Sequence, residues 1–141
     1  RGLFHVTLDQ DFPGVIAGCA RPAPGRDQTW ITSRFIRAYT QLHHAGYAHS
    51  LEVWQNDVLV GGIYGVALGG LFAGESMFHT VSNASKVALV RLAEHLRQRG
   101  FVLFDVQLLT SITRRMGGRE ISRDEYLRRL DAALRLPCTF Q

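Results

Sequence analysis

The sequence predicts an α/β fold, a mixed β-sheet flanked by helices. Three observations carry that expectation. Alternating runs bounded by Asn56-Asp57 and Gly69-Gly70 read as an antiparallel meander in the middle of the chain. A long amphipathic segment follows and leads through Gly100 into the apolar run Phe101–Leu109, the pattern of a strand-helix-strand crossover with parallel neighbours. The chain has 141 residues, 46% hydrophobic and 20% charged, enough for a sizeable core and expected to form one domain over 1–141.

The elements follow in order. Phe4–Leu8 alternates and is the first expected strand. Asp9 or Asp11 can cap a helix running toward Cys19. Arg21–Gln28 holds Pro22, Pro24 and Gly25 and reads as a loop. Thr32 or Ser33 caps a second helix, in which Phe35, Ile36, Tyr39, Leu42 and His43 share a face and Gly46 is the stop. Tyr47–Gln55, Val58–Leu68 and Leu71–Phe78 are the meander strands. Ser82 or Asn83 caps the long helix, whose apolar face is Ala88, Leu89, Leu92, Ala93 and Leu96. A short helical turn near Thr113–Met116 ends at Gly117-Gly118, and Arg119–Ile121 is expected as a last short strand. Ser122 and Glu125 have capping-box spacing for a final helix carrying Leu127, Leu130 and Leu134, which Pro137 stops.

Composition narrows the function classes. No apolar run approaches the ~20 residues of a membrane-spanning helix. The apolar stretch Val58–Leu71 is broken by five glycines, which suits strands. No secretory signal is visible. Cys19 and Cys138 lie far apart with no metal-like spacing, so a reducing cytoplasmic compartment is expected. The formal net charge is +4, and Lys86 is the only lysine. Arginine presents a planar fork suited to phosphate and carboxylate, a weak hint of nucleic acid.

The chemistry concentrates in two strands. The run Phe101–Leu109 carries Asp105 and Gln107 two residues apart. In a strand they would share a face, roughly 7 Å apart. A carboxylate buried there without a partner costs several kcal/mol, so a site explains it better than the fold does. Glu75 and Ser76 interrupt the otherwise apolar Leu71–Phe78, where Ala73 and Gly74 leave room for a ligand to approach the backbone. Two carboxylates and an amide at one crevice can bind an ammonium group and move its proton. Trp30, at a loop edge before a helix, can stack on a base, but taken alone it reads better as a hydrophobic staple onto that helix. Ser82–Lys86 opens a helix whose free amides attract anions, but it lacks a Gly-rich turn for a pyrophosphate. His43, His44 and His49 make no metal signature and read as core or surface histidines. The C-terminal arginines interleave with acids as a solvated face. Arg114 and Arg115, just beyond the Asp105 strand, are the better candidates for RNA phosphates.

The element order resembles the GNAT-like, acyl-CoA N-acyltransferase-type fold, in which the fourth and fifth strands run parallel and splay, and substrates meet in the gap. Here those are the strands of Glu75 and Asp105. A more specific series runs through nearly the whole chain: Thr29-Trp30-Ile31-Thr32, Ala48–Trp54, Leu59–Ala67, Leu71-Phe72, Gly74–Phe78, Asn83–Lys86 and Phe104–Gln107. In order and spacing it resembles the bacterial leucyl/phenylalanyl-tRNA–protein transferases.

That resemblance implies transfer of Leu or Phe, with Met a further candidate, from aminoacyl-tRNA to acceptor proteins beginning with Arg or Lys. The product is a destabilising N-terminus for regulated proteolysis, the N-degron pathway. It implies that Asp105 and Gln107 match the catalytic pair, Glu75 an essential acid, and Trp30 a tryptophan at the aminoacyl-adenosine site. Ser76 lies beside that acid. Ile63, Phe72, Leu89 and Leu92 are candidates for the Leu/Phe pocket. No metal or cofactor is required. The family usually carries an N-terminal domain with a Trp-Trp-Ser-Pro motif, and this chain, opening at Arg1, is expected to begin after it. Where the family often has a His-Thr pair, this chain has Ile112-Thr113. Two alternatives stay open: a CoA-dependent N-acetyltransferase of the same fold, and a non-catalytic remnant or RNA-binding module.

Overall fold

A computed structural model describes residues 3–21, 31–107, 111–115 and 117–141. The elements are β1 (His5–Leu8), α1 (Phe12–Ala20), α2 (Ser33–His44), β2 (Ala48–Gln55), β3 (Val58–Leu68), β4 (Leu71–His79), α3 (Ala84–Gln98), β5 (Leu103–Asp105), α4 (Ser111–Arg115) and α5 (Arg123–Leu134). The five strands form one sheet in the order β1-β2-β3-β4-β5. The first four pair antiparallel and β5 joins β4 in parallel, as the α3 crossover requires.

Local chemistry sets most boundaries. Asp11 accepts the Gly14 amide at 3.0 Å and caps α1, with Pro13 in the first turn, where a missing N–H costs nothing. Thr32 caps α2 by accepting the Phe35 amide at 3.2 Å. Asn56 and Asp57 both take positive φ, 53° and 65°, as a two-residue hairpin turn demands. Gly69 has φ +54°, and a Cβ there would lie 2.6 Å from the Ala133 carbonyl, so the turn under α5 needs glycine.

Two apolar clusters hold the sheet. One joins Leu51, Val53, Ile63 and Phe72 to Leu89, Leu92 and Leu96 of α3, and to Phe140 near the C-terminus. The other packs Phe12, Val15 and Ile16 of α1 against Tyr64 and Phe78, with Phe35, Ile36 and Tyr39 of α2 at its margin. Each fully buried large side chain contributes about 1.5–3 kcal/mol.

A polar tie links β1, β2 and the C-terminus. Asp9 accepts the Ser50 amide at 2.9 Å, meets His49 Nδ1 at 2.7 Å and accepts the Gln141 side-chain amide. Burial pushes the Asp9 carboxyl up, but its hydrogen bonds to His49, Ser50 and Gln141 outweigh burial and hold it below its usual 3.8. A carboxyl lowered in the folded state stabilises fully above the unfolded value and loses that contribution as pH falls through the folded value. Asp9→Asn is therefore expected to melt lower than wild type near neutrality, with the gap narrowing in acid. Thermal melts across that range measure it.

The structure corrects three expectations. The strand read as Phe101–Leu109 is only Leu103–Asp105. Gln107 takes φ +70° and donates its backbone N–H to Asp105 Oδ1 at 2.8 Å, a local turn that ends the strand. Asp105 and Gln107 therefore do not sit side by side on one strand face; residues 108–110 lie outside the described residues. Arg119–Ile121 forms no strand but connects α4 to α5. At α3, Asn83 occupies the capping position with φ 72° and makes no side-chain capping bond. The final helix starts where expected, with Ser122 accepting the Glu125 amide at 3.1 Å. Its Leu127 and Leu134 are about half exposed, at 46% and 48%, while Ala133 is buried.

One irregularity bears on the site. On β4, Gly74 pairs with Gly65 and Ser76 with Tyr64, so Glu75 is the extra residue of a β-bulge. Phe72 packs in the α3 cluster and Phe78 in the α1 cluster. Six residues apart in a regular strand they would share a face; the bulge reverses the alternation.

Candidate active site

The tip of β5, α3, the 117–121 connection and α5 enclose an open crevice of about 910 Å³. Asp105, Gln107, Phe104 and Leu89 line it, with Tyr126 of α5. Arg97, Arg119 and Arg123 stand around it together with Glu94 and Glu120. Asp105 is half-buried, and both its carboxylate oxygens are engaged. Oδ1 accepts the Gln107 backbone N–H, and Oδ2 accepts the Tyr126 phenol at 2.7 Å. That hydrogen bond, then burial, then the Asp105 charge push the Tyr126 phenol up, so it stays a donor. Each carboxylate oxygen keeps a further lone pair for an ammonium hydrogen.

β4 continues past the last β4–β5 partners, Ala73 and Asp105, so the two strands pair only over Leu71–Ala73 and Leu103–Asp105. Glu75 sits just beyond that point, on the bulge. Burial, then the Glu75 charge and its hydrogen bond, push the Tyr39 phenol up to about 12. Burial first, then the neighbouring Cys19, Glu75 and Tyr39, push Tyr64 up as well. The crevice expected to hold both carboxylates holds Asp105 and Gln107 but not Glu75 among its lining; Asp105 is partnered by α5, and Glu75 lies beside Tyr39 of α2 and Tyr64 of β3. Among the described residues, the Tyr64 hydroxyl is the buried side-chain polar atom without a hydrogen-bond partner. Removing an unsatisfied hydroxyl of that kind relieves a desolvation cost of about 1–3 kcal/mol. Tyr64→Phe is therefore expected to leave the denaturant midpoint unchanged or raise it.

The other candidates fall as follows. Ser76 is half-buried opposite Tyr64. Ile63, Phe72 and Leu92 are packed within the core, while Leu89 belongs to that core and also lines the crevice. Arg114 and Arg115 are exposed at the end of α4. Trp30 lies outside the described residues. Ser85, in the first turn of α3, bonds His79 at 2.9 Å. Sequence reading missed two partners of the carboxylates, Tyr126 and Tyr39. The helical spacing placed both on helices, but periodicity alone gives no information on a contact made 21 or more residues away.

Chemically, Asp105 can orient an ammonium and accept its proton beside the Gln107 amide. Among the described residues no group of three or more His, Cys, Asp or Glu side chains is arranged to hold a metal ion. Among them, no helix is long and apolar enough to cross a membrane.

The family model of the leucyl/phenylalanyl-tRNA protein transferases matches residues 1–131. A leucyl/phenylalanyl-tRNA–protein transferase of Maricaulis maris is 54% identical over 132 residues, covering 94% of this chain and 61% of the relative. One from Shewanella pealeana is 51% identical over 124 residues, covering 88% of this chain and 52% of the relative. The chain therefore spans between half and two thirds of the length of these relatives. Solved structures share the fold at low identity. A predicted acetyltransferase with acetyl-CoA from Clostridium acetobutylicum aligns with a TM-score of 0.60 at 7% identity, over 87% of this chain and 93% of that one. A ribosomal-protein-alanine N-acetyltransferase from Brucella melitensis biovar Abortus aligns with a TM-score of 0.59 at 11% identity, over 86% and 94%. The fold is thus GNAT-like, as the element order implied.

Proposed function

The chain belongs to the leucyl/phenylalanyl-tRNA protein transferase family, and on that premise we propose that it transfers Leu or Phe from aminoacyl-tRNA to the α-amino group of acceptor proteins beginning with Arg or Lys. The product is a destabilising N-terminus for regulated proteolysis in the cytoplasm. Residues 1–141 act as one aminoacyltransferase domain. The observation that carries the reading is the doubly anchored Asp105 carboxylate beside Gln107 in an open crevice.

The reaction asks little of the protein beyond placement and one proton transfer. The acceptor α-amino group has a pKa of about 7.7–8.0, so a modest base suffices. Its nitrogen attacks the carbonyl carbon of the aminoacyl ester, a C–N bond forms, and the C–O bond to the tRNA 3′-terminal ribose breaks. Asp105 takes the amine proton and passes it to the departing ribose oxygen, which leaves as a hydroxyl and returns the carboxylate to its starting state. The Gln107 side-chain amide oxygen accepts a hydrogen bond from the amine and orients it. Glu75 holds the acceptor ammonium or the aminoacyl-adenosine, with Ser76 beside it. Trp30 stacks on the terminal adenine. Leu89, the one of the four apolar candidates that lines the crevice, meets the Leu or Phe side chain, while Ile63, Phe72 and Leu92 back it from the core, and Arg114 and Arg115 meet tRNA phosphates.

The shared fold makes donor choice the sharpest test. The protein is given an Arg-initiated peptide with leucyl-tRNA and acetyl-CoA together, and the peptide mass is read. The proposal expects the gain of one leucyl residue. A gain of one acetyl group would overturn it in favour of CoA chemistry.

A further inference from the structure

We propose that Tyr126 is a positioning residue for the base of this reaction, holding the Asp105 carboxylate in its working orientation from α5. The catalytic consequence rests on the aminoacyl-transfer reading; the positioning itself rests on geometry. Asp105 is the last residue of a three-residue strand. Beyond it the backbone turns at Gln107, so the strand ladder does not fix the carboxylate. Two bonds do. The Gln107 amide takes one oxygen at 2.8 Å and the Tyr126 phenol takes the other at 2.7 Å. Rotation of the carboxylate about its own axis would break both bonds at once.

The phenol is delivered by a well-anchored element. Ser122 caps α5 at one end, and near the other the Gly70 amide donates to the Ala133 carbonyl at 2.6 Å. Tyr126 is half-buried and lines the same crevice as Asp105. This gives α5, otherwise an exposed helix with an Arg129–Glu125 ion pair at its surface, a direct part in the chemistry. With each oxygen bound once, the remaining lone pairs are left for the incoming amine.

The test has two arms. In aminoacyl transfer, Tyr126→Phe keeps the ring and removes only the hydroxyl. Its kcat should fall about 10- to 100-fold with KM for aminoacyl-tRNA unchanged, as expected for a misplaced base. In an Asp105→Asn background the same change should cost less than about 2-fold, because the two residues act as a unit. A merely structural tyrosine would cost the same in both backgrounds. The second arm needs no activity. Ultraviolet titration, with Tyr126→Phe subtracted, should show Tyr126 ionising above the ordinary tyrosine range in wild type and returning toward it in Asp105→Asn. Wild-type kcat in Tyr126→Phe, or a Tyr126 titration indifferent to Asp105→Asn, would overturn the proposal. A coupled titration in a wild-type protein that transfers nothing would instead retain the Tyr126–Asp105 pair and remove the reaction assigned to it.

Discussion

Asp105→Asn lowers aminoacyl transfer by about 10²–10⁴-fold, the usual worth of a positioned general base, while the protein stays folded. The substitution is nearly isosteric. The amide oxygen can still accept one of the two hydrogen bonds that the carboxylate accepts from Gln107 and Tyr126. What it loses is basicity and the negative charge that attracts the acceptor ammonium. Because Asp105 stands at the end of β5 and not within a cluster of buried leucines, its replacement should shift the melting temperature little. A single-turnover assay with preformed Phe-tRNA separates this from weakened tRNA binding: transfer falls at saturating donor. Unchanged transfer at saturating donor would remove Asp105 from the catalytic role.

Phe72→Ala destabilises the protein by about 3–5 kcal/mol, the range for truncating a fully buried phenylalanine. Phe72 is 1% exposed and lies at the centre of the α3 cluster. Its ring sits 5.9 Å from Phe104, edge to face, and 5.5 Å from Phe140, stacked. Phe104 is the residue immediately before Asp105, so the same cavity also loosens the support of the base. Denaturant unfolding should show the midpoint fall with an unchanged slope, as for a cavity in an otherwise native fold. Transfer measured well below the midpoint should fall as well. A variant with wild-type stability would mean that the Phe72–Phe104–Phe140 packing does not hold the sheet to α3.

Much of this architecture was legible in the residues because it is locally encoded. Asn56-Asp57 and Gly69-Gly70 are turn chemistry, Thr32 and Ser122 are caps, and the leucines of α3 have helical period. The α3 crossover by itself requires β4 and β5 to run parallel as neighbours. What sequence could not supply was non-local. The Glu75 bulge arises from register against β3, and nothing in Leu71–His79 itself marks the extra residue. The turn at Gln107 looked like strand because Val106, Leu108 and Leu109 are apolar. There the Asp105 side chain captures the Gln107 amide, and that local bond outcompetes the ladder. The exposure of Leu127 and Leu134 follows from where α5 docks, through Ala133 against the Gly69-Gly70 turn. The site was legible as residue types, since a carboxylate in an apolar run requires explanation, but its partners Tyr126 and Tyr39 come from distant helices.

The central claim is that the new bond joins an aminoacyl group from tRNA to a protein's N-terminal nitrogen. The most direct measurement uses tRNA charged with labelled Leu or Phe, a reporter beginning with Arg, and a second reporter whose N-terminus is blocked. N-terminal sequencing of the labelled product then locates the bond. The account predicts labelled Leu or Phe as the new first residue, followed by Arg, and no label on the blocked reporter. Label that stays on the tRNA, or that appears equally on the blocked reporter, would contradict it.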